Sequence, residues 1–202
     1  MVSHDVDLVD KTVTYEGFFR VIRYLFRHRL FGGGLSEVLS REVLDRGAVV
    51  GVLPVDVKRD QVVLVEQFRS GAFAAGWDPW LLECVAGMVE AGEAPEDVAR
   101  RESLEESGCT LGRLRLVARY LSSPGGTNET MTLFCGEVDA STAAGVHGLA
   151  SEGEDIRVHV YTVAQAIELL EQGKVSNAKT VVALQWLALH YDALKAEWTV
   201  GN

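Results

Sequence analysis

The sequence predicts an α/β fold with a mixed sheet, preceded by a small antiparallel β lobe. Three observations lead there. Apolar runs of strand length alternate with stretches whose apolar residues recur every three to four positions, the two periods that separate strand from helix. An aromatic and β-branched stretch near the N-terminal end stops at three consecutive glycines, Gly32–Gly34. The 48% hydrophobic content over 202 residues suffices for one well-buried core with a small accessory lobe.

The lobe comes first. From Thr12 to about Leu44 the chain opens as TVTYEGFFRVIRYLFRHRLFGGG, with Arg20, Arg23, Arg27 and Arg29 set among aromatic and aliphatic residues. Such composition favours strands, and the glycines mark a turn. About 45 residues cannot bury this much apolar surface alone. Residues 1–45 are therefore expected to pack on the main domain, residues 46–202, or on a second chain. The basic bias makes the lobe a candidate phosphate-facing surface. The competing reading is arginines solvated on an edge strand.

In the main domain, Ala48–Val55 and Gln61–Arg69 are apolar runs joined by Asp56–Asp60, a hairpin pattern. Trp80–Ala86 reads as a further strand. Pro95–Ser107 reads as a helix: Pro95 suits its first position, Glu96 and Asp97 its first turn, and Gly108 its C-terminal cap. Strands follow at Leu114–Leu121, Met131–Val138 and Ile156–Thr162. Two helices end the pattern. Val163–Gln172 stops at Gly173, and Asn177–Trp198 carries Val181, Leu184, Leu187, Ala188 and Tyr191 at helical spacing. The segment from Ala140 to Asp155 has no apolar period and is expected to be a long polar loop, the kind that usually carries function or moves.

Nineteen Lys and Arg against 29 Asp and Glu leave a net charge of −10. An acidic chain gains little from neutralising phosphates, so nucleic acid is not an expected partner. An anionic small molecule would need local cations, either a metal or placed arginines. Cys84, Cys109 and Cys135 form no CxxC pair and no zinc spacing, and they sit in apolar stretches. Buried free thiols in a reducing compartment are expected. Met1–Lys11 has neither the basic start nor the apolar run of a signal peptide, and no apolar run reaches the roughly 20 residues of a membrane span. The expectation is a cytoplasmic protein without a membrane partner.

The chemistry is concentrated in GMVEAGEAPEDVARRESLEESGC, Gly87 to Cys109. On the expected helix, Glu102 and Glu106 lie four apart on one face, and Glu105 is three from Glu102. Two carboxylates about 5 Å apart repel by roughly 3 kcal/mol at an effective dielectric of 20. A divalent cation reverses the sign, and hard oxygen ligands select Mg2+ or Mn2+ over zinc. The alternative is a solvated helix in which Arg100 and Arg101 pair with neighbouring glutamates. The flanking positions weigh against it. Gly87, Glu93, Arg101, Glu102, Glu105, Glu106 and Gly108 at these spacings occur by chance on the order of once in a million chains, taking about 6% per position.

With Gly, five residues, Glu, seven residues, Arg-Glu, two residues, Glu-Glu, one residue and Gly, this stretch resembles the Nudix box, and the chain is similar to the Nudix hydrolases. The family pattern has an aliphatic residue where Ser103 stands, a departure that removes no candidate ligand. The resemblance implies an α/β/α sandwich and a divalent ion, Mg2+ or alternatively Mn2+, held against a pyrophosphate. It implies metal ligation by Glu102, Glu106, the Ala86 carbonyl and Glu154, a general-base role for Glu152, a further acidic function for Glu105, and a bracing pair of Arg101 with Glu93. Glu152, Glu105 and Arg101 are thus the candidate catalytic residues.

The flanks LLECVAGMVE, SSPGGTNE at Ser122–Glu129, HGLASEGEDIRVHV at His147–Val160 and YEGFFRV in the lobe are similar to the branch of the family that cleaves ADP-ribose. That likeness implies substrate contacts from Phe18, Phe19, Arg41, Arg69, Met88, Ser123, Pro124, Gly125 and Glu129. It also implies a homodimer with exchanged N-terminal lobes. Other nucleoside diphosphate sugars, such as GDP-mannose, are the alternative substrates. A non-catalytic ADP-ribose sensor is the alternative from a different class.

Overall fold

Residues 5–200 are described by the computed structural model, and its first three strands come from the arginine-rich aromatic stretch. β1 (Val6–Glu16), β2 (Arg20–His28) and β3 (Leu39–Asp45) form an antiparallel sheet in that order. Two register shifts, between Leu8 and Asp10 and between Val13 and Tyr15, bend β1 against β2. The glycine run lies in the β2–β3 connection, where Gly33 N donates to Leu30 O. Every residue of β1 is exposed, and Ile22 of β2 is the buried hydrophobic residue of this sheet.

The chain resolves into two compact units. One contains the described residues up to Ala48 together with Leu121–Thr130. That second segment is tied in through Leu44, whose N–H donates to Gly126 O and whose carbonyl accepts from Asn128 N. The other unit holds Val49–Tyr120 and the described residues from Met131 onward.

In the second unit the elements are β4 (Ala48–Asp56), β5 (Gln61–Phe68), α1 (Ser70–Ala74), β6 (Trp80–Glu83), β7 (Val85–Met88), α2 (Pro95–Ser107), β8 (Leu114–Leu121), β9 (Thr130–Glu137), β10 (Val146–His147), β11 (Ile156–Thr162), α3 (Val163–Glu171) and α4 (Ala178–Thr199). Among the described residues they build a mixed eight-stranded sheet, ordered β10-β11-β5-β4-β9-β8, with β6 added to β5 and β7 to β4. β4 and β5 read as continuous apolar runs because both faces are covered. Val62 and Leu64 face a cluster closed by α3 and α4 with Leu184, Leu187 and Trp198; Val63 and Val65 face a second cluster closed by α2 with Val98 and Ala99. The sheet is thus sandwiched between helices, as expected. All three cysteines are buried free thiols, and burial raises each thiol, Cys84 to about 11.

Two expectations need correction. The single strand Trp80–Ala86 is two strands, since Glu83 pairs with Val65 of β5 whereas Val85 pairs with Val52 of β4. The chain changes partner at Cys84 and cannot stay one straight strand. The segment from Ala140 to Asp155 is not structureless: it holds one-turn 3-10 helices at Ala140–Thr142 and Ala150–Glu152, and β10 pairs with β11. Helix α1, too short to show a period, was not expected. The remaining strand and helix limits of the main domain agree within one residue, whereas β1 begins at Val6, ahead of the strand-forming stretch that opens at Thr12. A capping box at Thr162 and Gln165 fixes the start of α3.

Candidate active site

Helix α2 presents the acids. It starts at Pro95, whose missing N–H costs nothing there, and ends at Gly108 with φ 68°, where Gly108 N donates to Leu104 O and Cys109 N to Ser103 O. A side chain at 108 would be strained by that φ and pressed against the His147 ring. The cap therefore fixes where the last helical turn, with Glu105 and Glu106, meets its surroundings.

Glu106 is 2% exposed, and among the described residues its hydrogen bond comes from Ala86 N, at 3.1 Å to Oε2. Burial pushes its pKa up to about 8, with the charge of Glu102 adding to the rise and the Ala86 amide, Lys179 and Arg69 opposing it. Burial also raises Glu102, helped by Glu105 and Glu154 and opposed by Arg101. The Glu102 carboxylate lies directly against Gly87, where a Cβ would overlap it. Ala86 and Gly87 of β7 and Glu102 and Glu106 of α2 form one surface.

Arg101 crosses this surface. Its Nε and Nη2 donate to Glu93 at 3.2 Å each, and its Nη1 donates to Glu102 at 2.7 Å and Glu105 at 3.2 Å. Nη2 also reaches the Met88 carbonyl at 3.4 Å. The Arg101 guanidinium holds the Glu93 carboxyl below its usual range. One cation thus links Glu93, in the loop before α2, to Glu102 and Glu105 on the helix.

Among the described residues, no three His, Cys, Asp or Glu side chains converge as a closed metal cage. The donors at hand are two carboxylates with the backbone at Ala86. An open, all-oxygen set of this kind fits Mg2+, which keeps water and substrate phosphate in its shell, better than zinc, which takes nitrogen and sulfur. The buried Glu106, to which no cation among the described residues is hydrogen-bonded, is the observation that fits a positive ion best.

The loop acids differ in placement. Glu154 is half-buried, accepts from Leu149 N at 3.0 Å and is close enough to perturb both Glu102 and Arg69. Glu152 is exposed at the end of the 3-10 turn, before Gly153 with φ 70°. The loop is tied to α2 by Gly148 N donating to Glu105 O at 3.2 Å. The charges of Glu105 and Glu154 act on Glu102, and that of Glu102 acts on Glu106, while Glu152 is exposed.

Arg69, at the end of β5, forks onto fully buried Glu83 through Nε at 3.0 Å and Nη2 at 2.8 Å. Met88 is 46% exposed at the end of β7. In the first unit, Phe18 is 92% exposed and meets Phe19 edge-on. Phe19 lies under the Arg46 guanidinium, 4.9 Å from ring centroid to Cζ, and Arg46 donates to Glu129 at 3.3 Å. Asn128 binds the Arg46 amide and the Asp45 carboxylate. Arg41 is exposed on β3, opposite Tyr24, and Ser123, Pro124 and Gly125 are exposed in the turn that closes on Leu44.

Sequence reasoning missed Arg46, Asn128, Glu83 and Lys179. A single acid inside the apolar run WLLECVAG was a usable signal for Glu83. A lysine on a helix gives none, because solvated lysines look the same.

The family model for the NUDIX domain matches residues 45–189. The chain is 52% identical to the ADP-ribose pyrophosphatase of Escherichia coli K12, over 97% of this chain and 94% of that protein. It is 48% identical to the ADP-ribose pyrophosphatase of Haemophilus influenzae, over 97% and 92%. It is 34% identical to the GDP-mannose pyrophosphatase of Cronobacter sakazakii, over 93% and 97%. A crystal structure of an ADP compounds hydrolase shares the fold, with a TM-score of 0.72 at 18% identity over 94% of this chain and 96% of that one.

Proposed function

Because this chain belongs to the NUDIX domain family, we propose that it hydrolyses the pyrophosphate of ADP-ribose to AMP and ribose 5-phosphate with Mg2+. The observation that carries the chemistry is the buried Glu106 beside Glu102, two acids that a divalent ion would reconcile. The observation that favours the substrate is the 52% identity to an ADP-ribose pyrophosphatase.

Glu102, Glu106 and the Ala86 carbonyl would hold the ion, with Glu154 as the further acidic ligand. When bound, the ion neutralises charge developing on the diphosphate and orients a water molecule. Glu152 takes the proton of that water as its oxygen bonds to phosphorus and the anhydride P–O bond breaks, with Glu154 the alternative base. Arg69 binds a diphosphate oxygen through the guanidinium edge not used by Glu83. Arg101 holds Glu102, Glu105 and Glu93 in place. Met88 and the turn residues Ser123, Pro124 and Gly125 with Glu129 contact the nucleotide sugar, and Phe18 and Phe19 stack on adenine. Arg41 of the partner subunit completes that contact in a homodimer with exchanged lobes, which also accounts for the exposed apolar side of β1. Three buried free thiols and the lack, among described residues, of a helix able to cross a membrane favour a cytoplasmic setting.

The test is incubation with Mg2+ and either ADP-ribose or GDP-mannose, with products identified by chromatography. AMP and ribose 5-phosphate are expected, at a kcat/KM at least tenfold above that for GDP-mannose. Preference for GDP-mannose would replace the reading with the second one, which the Cronobacter relative motivates. Tight binding of ADP-ribose with no turnover would make the protein a sensor. Glu106→Gln should lower kcat at least 100-fold, and unchanged turnover in Glu152→Gln at saturating Mg2+ would remove the base assignment.

A further inference from the structure

Glu83 has no exposed surface, and a buried carboxylate is costly unless it is paired and hydrogen-bonded. One guanidinium would neutralise it, and Arg69 already supplies a two-pronged fork at 3.0 and 2.8 Å. Yet the first turn of α4 adds a second cation: Lys179, only 8% exposed, bonds the same carboxylate through its ammonium. Asn177, the cap of α4, donates to Glu83 Oε1 at 3.1 Å, and Thr180 accepts from Cys84 N at 2.8 Å. Burying Lys179 beside an anion that is already paired needs a reason other than neutralisation.

Geometry supplies one. The fork commits the Nε and Nη2 edge of Arg69, so its Nη1 edge faces away from Glu83. The charges of Glu106 and Glu154, two of the acids proposed above to hold the ion, act on the Arg69 guanidinium. The direction of that free edge is inherited from Glu83, and the orientation of Glu83 is set from its other side by α4.

We propose that Lys179, assisted by Asn177, is a positioning residue that clamps Glu83 and so aims the free edge of Arg69 at the diphosphate. The inference rests on the function proposed above and extends its machinery to the C-terminal helix. Lys179 bonds Glu83 and acts on ground-state grip through Arg69. Its charge also reaches Glu106, and Lys179→Arg keeps that charge.

A double-mutant cycle between Lys179→Met and Arg69→Ala tests this. The readouts are KM and kcat on ADP-ribose with Mg2+, and the calorimetric Kd of ADP with no divalent ion present. Lys179→Met is expected to raise KM and the ADP Kd at least fivefold while kcat changes less than threefold. In the Arg69→Ala background the same change should move KM and Kd less than twofold, and Lys179→Arg should restore both to within threefold of wild type. Penalties that multiply would overturn the proposal, as would a lowered Tm with KM unchanged. Should the methionine variant not fold, Lys179→Gln enters the same cycle under the same criteria. A wild-type protein that does not cleave ADP-ribose removes the functional reading and the inference with it, a result distinct from an active enzyme whose penalties multiply.

Discussion

Glu106 shows what one side chain asks of its surroundings. Its carboxyl, at an ordinary 4.5 in an unfolded chain, stands at about 8 in the metal-free fold, chiefly through burial. Between those values the folded protein keeps a proton that the unfolded chain has released. Stability of the metal-free protein is therefore greatest below about pH 4.5 as far as this group is concerned, and falls as pH rises toward about 8. A divalent ion bound at the proposed site would hold the anion and remove that loss. The rise in Tm on adding Mg2+ to chelator-treated protein is expected to be larger at pH 8 than at pH 6. Glu106→Gln should flatten the slope of Tm against pH in the metal-free protein. An equal Mg2+ effect at both pH values in wild type would contradict this account.

At the scale of elements, β7 and α2 work as a pair because a glycine stands between them. Gly87 leaves no space for a Cβ against the Glu102 carboxylate, although its conformation is one that any residue can adopt. Gly87→Ala is therefore expected to displace Glu102 and not to unfold β7. Mg2+ affinity, measured by calorimetry, should fall at least tenfold, with Tm changed by only a few degrees. Mg2+ affinity within twofold of wild type would show that the carboxylate has another place to go. Gly108 differs in kind, since its φ of 68° and the neighbouring His147 ring both exclude a side chain. The motif glycines thus serve two physical purposes, one of space and one of backbone conformation. The pattern of residue types alone does not tell the two apart.

At the scale of the whole molecule, β1 stands out as an 11-residue strand exposed along its length, with Val6, Leu8, Val9, Val13 and Tyr15 between 46% and 60% exposed. Long exposed apolar strands are a liability in a monomer and ordinary at an interface. A homodimer is the expected state, and sedimentation equilibrium should return twice the monomer mass at micromolar concentration. Replacing Leu8 and Val13 by lysine should shift the mass toward monomer. A monomeric wild type would leave the strand to be explained in some other way.

Much of this molecule could be read from residue order. The alternation of strands and helices, the α2 helix with both its ends, and the acids spaced along one of its faces follow from local periodicity, caps and spacing, which act within a few residues of chain. The same holds for the candidate ligands Glu102 and Glu106. Only the tertiary structure decided what lies far apart in sequence. It set the partner switch at Cys84, the fork of Arg69 on Glu83, the reach of Lys179 across 96 residues to the same carboxylate, and the exposure of Glu152 beside a half-buried Glu154. Burial and pairing depend on which surfaces meet, and a single exposed-looking lysine or glutamate carries no trace of that until the sheet and its helices have closed.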